Sequence, residues 1–343
     1  MRVGSNPNKQ VDQQPSPYKH QVIIPVYIPH EEDYFKDSLQ ILKICIESLL
    51  KTIHNKTFVS IVNNGSCETV THYLNTLLED KKIHELIHTH NIGKINAVFK
   101  GISGNNIELV TISDADVLFV SGWQAETLKI FSHLPRVGVI GLTPQFRTFN
   151  SHCGNIITDN LFSKRLKFIR VKNRDALVHF YDSIGWDRNY NQSYLEYGLG
   201  LQDKDLTCFV GSGHFVATYK RDMFEELYTF IGGKKAAGIG EIYIDSKSLE
   251  KDYWRVTTHD NFAYHMGNIY EAWMSEAEYM PVDNNNVPEG FIKGRRISSF
   301  HFFIKNKLVP KVLLNDKISR LFFRWKKLPK EMIKHYNSLK AVE

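Results

Sequence analysis

The stretch QVIIPVYIPHEEDYFKDSLQILKICIESLLKTIHNKTFVSIVNN, residues 21–64, carries the reading of the fold. Its first eight residues form a nearly continuous apolar run, as expected of a strand buried on both faces. Residues 37–53 change to helical spacing, with Leu39, Leu42, Ile46, Leu49 and Leu50 on one side. FVSIVNN, residues 58–64, returns to strand and stops at an Asn-Asn-Gly turn. Strand, helix and strand in this order make a crossover unit that places the two strands parallel.

The same alternation continues outward. Residues 67–80 have helical spacing, 84–90 form a short strand, 93–102 a helix and 108–114 a strand. A further helix follows Trp123, and VGVIGL, residues 137–142, is another strand. The pattern predicts an α/β fold: a mostly parallel sheet flanked by helices. Ligands of such sheets bind beyond the carboxyl ends of the strands, which selects residues 25–29, 63–66, 90–94 and 114–116 as one rim.

After Pro144 the periodicity fades, and residues 145–205, rich in Asn, Tyr and Asp, read as an irregular insertion beside the site. LTCFVGSGHFVATY, residues 206–219, is strand interrupted by Gly211-Ser212-Gly213. A loop with Gly232, Gly233, Gly238 and Gly240 leads to a helix from about Glu241. The expected organisation is a polar, disordered leader over 1–20, an α/β domain over 21–290 and a basic amphipathic helical segment over 291–343. The domain divides into a first half (21–143), the insertion (145–205) and a second half (206–290).

The chain has 343 residues and a formal net charge of +6, concentrated late in the sequence. That balance argues against a general nucleic-acid binder. Cys45, Cys67, Cys153 and Cys208 form no C-x-x-C pair and suit a reducing compartment. No signal peptide is visible, and no apolar run reaches the roughly 20 residues that span a bilayer. The expectation is a cytoplasmic protein, peripheral at the inner face of the plasma membrane. In residues 312–328, Leu314, Ile318, Leu321, Phe322, Trp325 and Leu328 form one helical stripe flanked by Lys317, Arg320, Arg324 and Lys327. This suits an interfacial helix on an anionic membrane, or a stripe docked on the catalytic domain.

The strongest chemical signal is Ser113-Asp114-Ala115-Asp116-Val117. Two carboxylates at the end of an apolar strand are costly unless paired or bound to a cation. A hard divalent ion could hold both, with phosphate in its remaining positions.

Taken together, these segments resemble a family 2 glycosyltransferase with the GT-A fold, of the inverting, bacterial polysaccharide-biosynthesis type. VIIPVY (22–27) resembles the opening strand, VNNGS (62–66) the V-D-D-G-S segment, and NIGKINA (91–97) the N-x-G-K-x-x-A loop and helix. SDADV resembles the D-x-D motif, FVGSGHFVATYKRDMFEEL (209–227) the acceptor-side segment, and His265-Met266-Gly267 the late H-x-G. The resemblance implies a nucleotide-sugar donor, a UDP-sugar foremost, and a glycan or lipid-linked acceptor, with 21–290 as the catalytic domain, 21–143 its nucleotide-sugar half and 206–290 its acceptor half. It places Pro25, Tyr27, Asn64 and Lys94 around the base and ribose, Asp114 at the ribose or metal, and Asp116 and His265 on Mn2+ or Mg2+. The family's Glu-Asp pair falls on Glu241 and Ile242, so the general base is sought at Glu241 or Asp245, one helical turn apart. Asp245 is expected to be the base and Glu241 to position the acceptor. Rival readings are a non-catalytic carbohydrate-binding or scaffolding protein and a sugar-phosphate nucleotidyltransferase. The latter's Gly-rich phosphate loop is missing after the first strand.

Overall fold

A computed structural model describes residues 4, 15–226, 231–232, 239–284, 287–288 and 290–337, without side chains for 239–242 and 316. Residues 1–3 and 5–14 of the expected leader, Gly233, Gly238 and the Glu241 side chain lie outside the described residues.

Among the described residues the central sheet has ten strands: β1 (His20–Val26), β2 (Thr57–Asn64), β3 (Glu85–Thr89), β4 (Leu109–Ser113), β6 (Val137–Gly141), β7 (Leu166–Arg170), β8 (Tyr197–Gln202), β9 (Thr207–Val210), β10 (Val216–Lys220) and β11 (Trp254–Thr258). Their spatial order is β3-β2-β1-β4-β10-β6-β11-β9-β8-β7. β1 runs parallel to β2 and β4, and β2 parallel to β3. β10 is inserted antiparallel between β4 and β6. A separate two-stranded ribbon pairs β5 (Val117–Phe119) with β12 (Ala263–His265).

The expected helices are present as α1 (Ser38–Thr52), α2 (Glu68–Glu79), α3 (Lys94–Ile102) and α4 (Trp123–His133). On α1, Leu39, Leu42, Ile46 and Leu49 are buried against the sheet and Leu50 is half-buried. Each fully buried leucine or isoleucine contributes about 1.5–3 kcal/mol. β1 is apolar from Val22 to Val26 because both of its faces are covered.

The expectation of an irregular stretch over 145–205 is corrected. That stretch holds α5 (Gly154–Asp159), β7, α6 (Arg174–Ser183) and β8, and β7-β8-β9 extend the sheet as an antiparallel meander. Gly198 and Gly200 and the many polar residues hide the alternation that would mark β8. Its glycines let neighbouring side chains close over the backbone: a Cβ on Gly200 would lie 2.4 Å from Ile169 Cδ1.

The helix before β11 is α7 (Ile239–Glu250). The late segment carries α8 (Ser299–Phe303), α9 (Val309–Leu313) and α10 (Asp316–Trp325). It is continuous with the core: Phe322, Phe323, Leu328 and Tyr336 are buried with Phe149 and Phe168. The predicted apolar stripe divides. Phe322 and Leu328 face inward, while Leu321, Trp325 and Ile318 stay exposed. Asn315 caps a new helix and Lys327 sits at φ 67°, so no single helix runs through residues 312–328. Phe323, outside the stripe, supplies the second inward ring. No helix among the described residues is long and apolar enough to cross a membrane.

Candidate functional site

The four rim segments converge at the carboxyl ends of β1, β2 and β4. β2 ends in Asn63-Asn64-Gly65. Asn63 Oδ1 accepts from the Ser66 N–H at 3.0 Å, and Asn64 Oδ1 accepts from the Ile92 N–H at 2.9 Å. Gly65 sits at φ 90°, and a Cβ there would lie 2.8 Å from Asn91 N. Only glycine fits that conformation and that approach. The two rim loops are thereby tied together, and Asn64 is buried with its carbonyl committed to this tie. Pro25 is half-buried near the end of β1, and Tyr27 is 41% exposed beyond it.

Asp114 and Asp116 leave β4 in different directions. Asp114 forms an ion pair from Oδ1 to Lys94 Nζ at 2.6 Å, across from the start of α3. Its N–H donates to Phe215 O at 2.7 Å, so the D-x-D turn is pinned to the entry of β10. Asp116 instead meets His265. The β5–β12 ribbon pairs His265 with Val117, and the Met266 N–H donates to Asp116 O at 2.8 Å. His265 Nε2 lies 3.4 Å from Asp116 Oδ2, and Ser183 Oγ lies 3.0 Å from His265 Nδ1. With Nδ1 engaged by the hydroxyl, Nε2 is presented to the carboxylate.

Asp116 Oδ1 is sealed from solvent and has no hydrogen-bond partner among the described residues. Burial raises this carboxyl to about 6; the His265 ring opposes the rise and the Asp114 charge adds to it. An unsatisfied buried carboxylate oxygen beside an oriented imidazole fits a divalent cation. Among the described residues no three His, Cys, Asp or Glu side chains converge into a closed cage. The donor set is an open pair, Asp116 and His265, with Asp114 turned to Lys94 instead of the expected third position. An open pair leaves coordination positions for phosphate oxygens.

The surroundings of Asp245 are built differently. Asp245 on α7 is 2% exposed, with one oxygen against Arg255 Nη1 and the other 3.0 Å from His214 Nδ1. Arg255, also buried, donates from Nη2 to Ser212 O at 3.1 Å. This is not the setting of a carboxylate that meets an acceptor hydroxyl directly. Gly211, at φ 97°, bends the chain between β9 and β10; a Cβ there would lie 2.4 Å from Thr148 O. Glu241 lies in the first turn of α7, outside the described side chains.

Ser183, His214 and Arg255 were not singled out by sequence. Ser183 gives no signal, because it lies 82 positions from His265. Arg255 could have been flagged: a charge inside the apolar strand WRVTT demands a buried partner.

No curated protein sequence matches this chain. Among solved structures, a mannosyltransferase from Pyrobaculum calidifontis in complex with GDP-Man and Mn2+ is 18% identical with a TM-score of 0.44, over 74% of this chain and 59% of its own. A crystal structure of S. aureus TarS is 12% identical with a TM-score of 0.41, over 72% and 60%. GalNAc-T7 with UDP, GalNAc and Mn2+ is 10% identical with a TM-score of 0.44, over 74% and 44%. This chain thus spans about three fifths of the first two structures. The family model for glycosyl transferase family 2 matches residues 22–228, more than half of the sequence and the whole of the donor rim. The chain belongs to glycosyl transferase family 2.

Proposed function

We propose that this protein transfers a sugar from a nucleoside-diphosphate sugar, a UDP-sugar foremost, to a hydroxyl of a glycan or lipid-linked acceptor. The transfer proceeds with inversion, by direct displacement at the anomeric carbon. The observation that carries this reading is the unpartnered Asp116 Oδ1 beside His265 at the rim where β1, β2 and β4 end.

Asp116 and His265 would hold Mn2+ or Mg2+, which when bound supplies positive charge to the departing diphosphate. Lys94, ion-paired to Asp114, adds a second cation at the same rim. Pro25, Tyr27 and the Asn64 turn surround the base and ribose, with Tyr27 exposed for contact with the base. Glu241 and Asp245 belong to the acceptor side. The pathway we propose, bacterial polysaccharide biosynthesis, rests on the family resemblance. The test is a screen of UDP-, GDP- and dTDP-sugars for hydrolysis and thermal stabilisation with Mn2+. Turnover that vanishes in Asp116→Ala supports the reading. Donor binding with no turnover favours the non-catalytic, carbohydrate-binding alternative, for which Ile242 in place of an acid speaks.

The late segment supports a peripheral membrane contact at a cytoplasmic face. Leu321, Trp325 and Ile318 are exposed on α10, and Trp325 packs against the exposed Phe162 ring at 5.7 Å between centroids. Exposed Lys317, Arg320, Arg324 and Lys327 surround them. Aromatic and aliphatic tips within a basic rim suit an anionic lipid surface. Leu321→Glu with Trp325→Glu should release the protein from phosphatidylserine vesicles and leave its unfolding temperature unchanged. Undiminished vesicle binding overturns the contact.

A further inference from the structure

We propose that His214 receives the acceptor's hydroxyl proton, with Asp245 as the positioning residue behind it; this rests on the glycosyl-transfer reading above. Three observations converge. His214 and Asp245 are joined at 3.0 Å, and the imidazole is 42% exposed where the carboxylate is 2% exposed. The carboxylate itself is anchored by the fully buried Arg255, which also holds the Ser212 carbonyl two residues before His214. The next residue, Phe215, accepts the Asp114 N–H through its carbonyl at 2.7 Å and packs its ring edge-on to His265 at 5.5 Å. His214 is therefore one residue, about 3.8 Å along the backbone, from the position that touches the D-x-D turn and the His265 ring.

The chemistry follows from the tautomer. With Asp245 Oδ2 3.0 Å from Nδ1, the proposed tautomer carries its proton on Nδ1 and keeps a lone pair on Nε2 of this partly exposed ring. As the acceptor oxygen bonds to the anomeric carbon, its proton moves to Nε2. The bond from that carbon to the diphosphate oxygen breaks, and its electron pair leaves with the nucleoside diphosphate. Asp245 stabilises the imidazolium that forms, as a buried carboxylate does in an Asp-His pair, and the proton is then released to water. Arg255 and Ser212 fix the pair so that little reorganisation accompanies the step.

The experiment uses the full chain with Mn2+ and the UDP-, GDP- and dTDP-sugar panel, water serving as acceptor. Turnover and donor affinity are measured for wild type, His214→Ala, Asp245→Asn, Glu241→Gln and Asp116→Ala. His214→Ala should lower turnover by about 10²- to 10⁴-fold, the usual reach of general-base catalysis, with donor affinity nearly unchanged. Added imidazole should restore part of that loss, which no structural role explains. Asp245→Asn should slow turnover less, and adding it to His214→Ala should cost little more. His214 is exposed, so its alanine variant tests the step even where Asp245→Asn fails to fold. If His214→Ala stays within about threefold of wild type while Asp116→Ala is inactive, the glycosyl-transfer reading stands and this inference falls. If Glu241→Gln alone loses turnover, the base is Glu241. If wild type turns over no donor, the reading itself fails and takes the inference with it.

Discussion

The donor rim and the acceptor side of this molecule are held together by different means. On the donor rim, each polar tie joins the carboxyl ends of parallel strands: Asn64 to Ile92, Lys94 to Asp114. These groups are half-exposed or hydrogen-bonded to backbone, and each follows the strand before it. On the acceptor side the contacts gather on one buried carboxylate: Asp245 meets the buried Arg255 and the partly exposed His214. The donor rim is a property of the parallel-sheet topology, whereas the acceptor side depends on where α7, β11 and the chain before β10 pack. Damage to the first should show in function, and damage to the second in function and folding together.

The largest expected effect is on the donor rim. Asp116→Ala should abolish metal-dependent turnover while the unfolding temperature in chelator does not fall, because a costly buried carboxylate is removed. Turnover that survives this substitution, or excess chelator, breaks the metal assignment. The acceptor side should respond in the opposite currency. Arg255→Met leaves Asp245 buried and uncompensated, and should cost about 3–5 kcal/mol in urea unfolding. A cost below about 1 kcal/mol, the range of an exposed pair, would show that the Asp245 site is open to water after all.

The third expectation concerns pH. The Asp116 carboxyl stands at about 6, above its ordinary value of 3.8, so the folded, metal-free chain holds this proton more tightly than the unfolded chain. This group therefore favours the fold most at low pH, and its contribution declines as pH rises from about 4 through 6. Metal needs the charged form, so Mn2+ affinity should rise through the same window, about tenfold per pH unit below 6. Calorimetric Mn2+ titrations across that range check it; a flat profile sinks the role of Asp116. A smaller effect is expected at Lys94→Met. It breaks an ion pair 40% exposed at the lysine, so stability should change by no more than about 1 kcal/mol while donor affinity falls. A large loss of stability would make that pair structural.

The late segment repeats the contrast within one helix. Phe323→Ala removes a ring buried among Phe149, Phe168 and Tyr336 and should cost about 3–5 kcal/mol. Leu321→Ala, two residues earlier and exposed, should fall within about 0.5 kcal/mol of wild type.

Sequence by itself determined the parallel half of the sheet, because apolar runs and helical spacing alternate there without interruption from Gln21 to Leu142. It also determined the donor rim, since the end of each strand is local information and the topology gathers those ends. It did not reveal β8, whose glycines and polar residues break the alternation, nor the split of the α10 stripe, since helical spacing marks a face without saying what lies opposite. Tertiary structure alone decided the surroundings of the two acid pairs. Asp114 and Asp116 are neighbours in sequence, yet one is turned to Lys94 and the other to His265 by the β5–β12 ribbon. Asp245 and Glu241 share a helical face by spacing, but Arg255, arriving ten residues later on β11, draws Asp245 inward. The physical reason is common to both pairs. A carboxylate's chemistry is set by the charge and solvent around it, and these come from other elements that the fold packs against it.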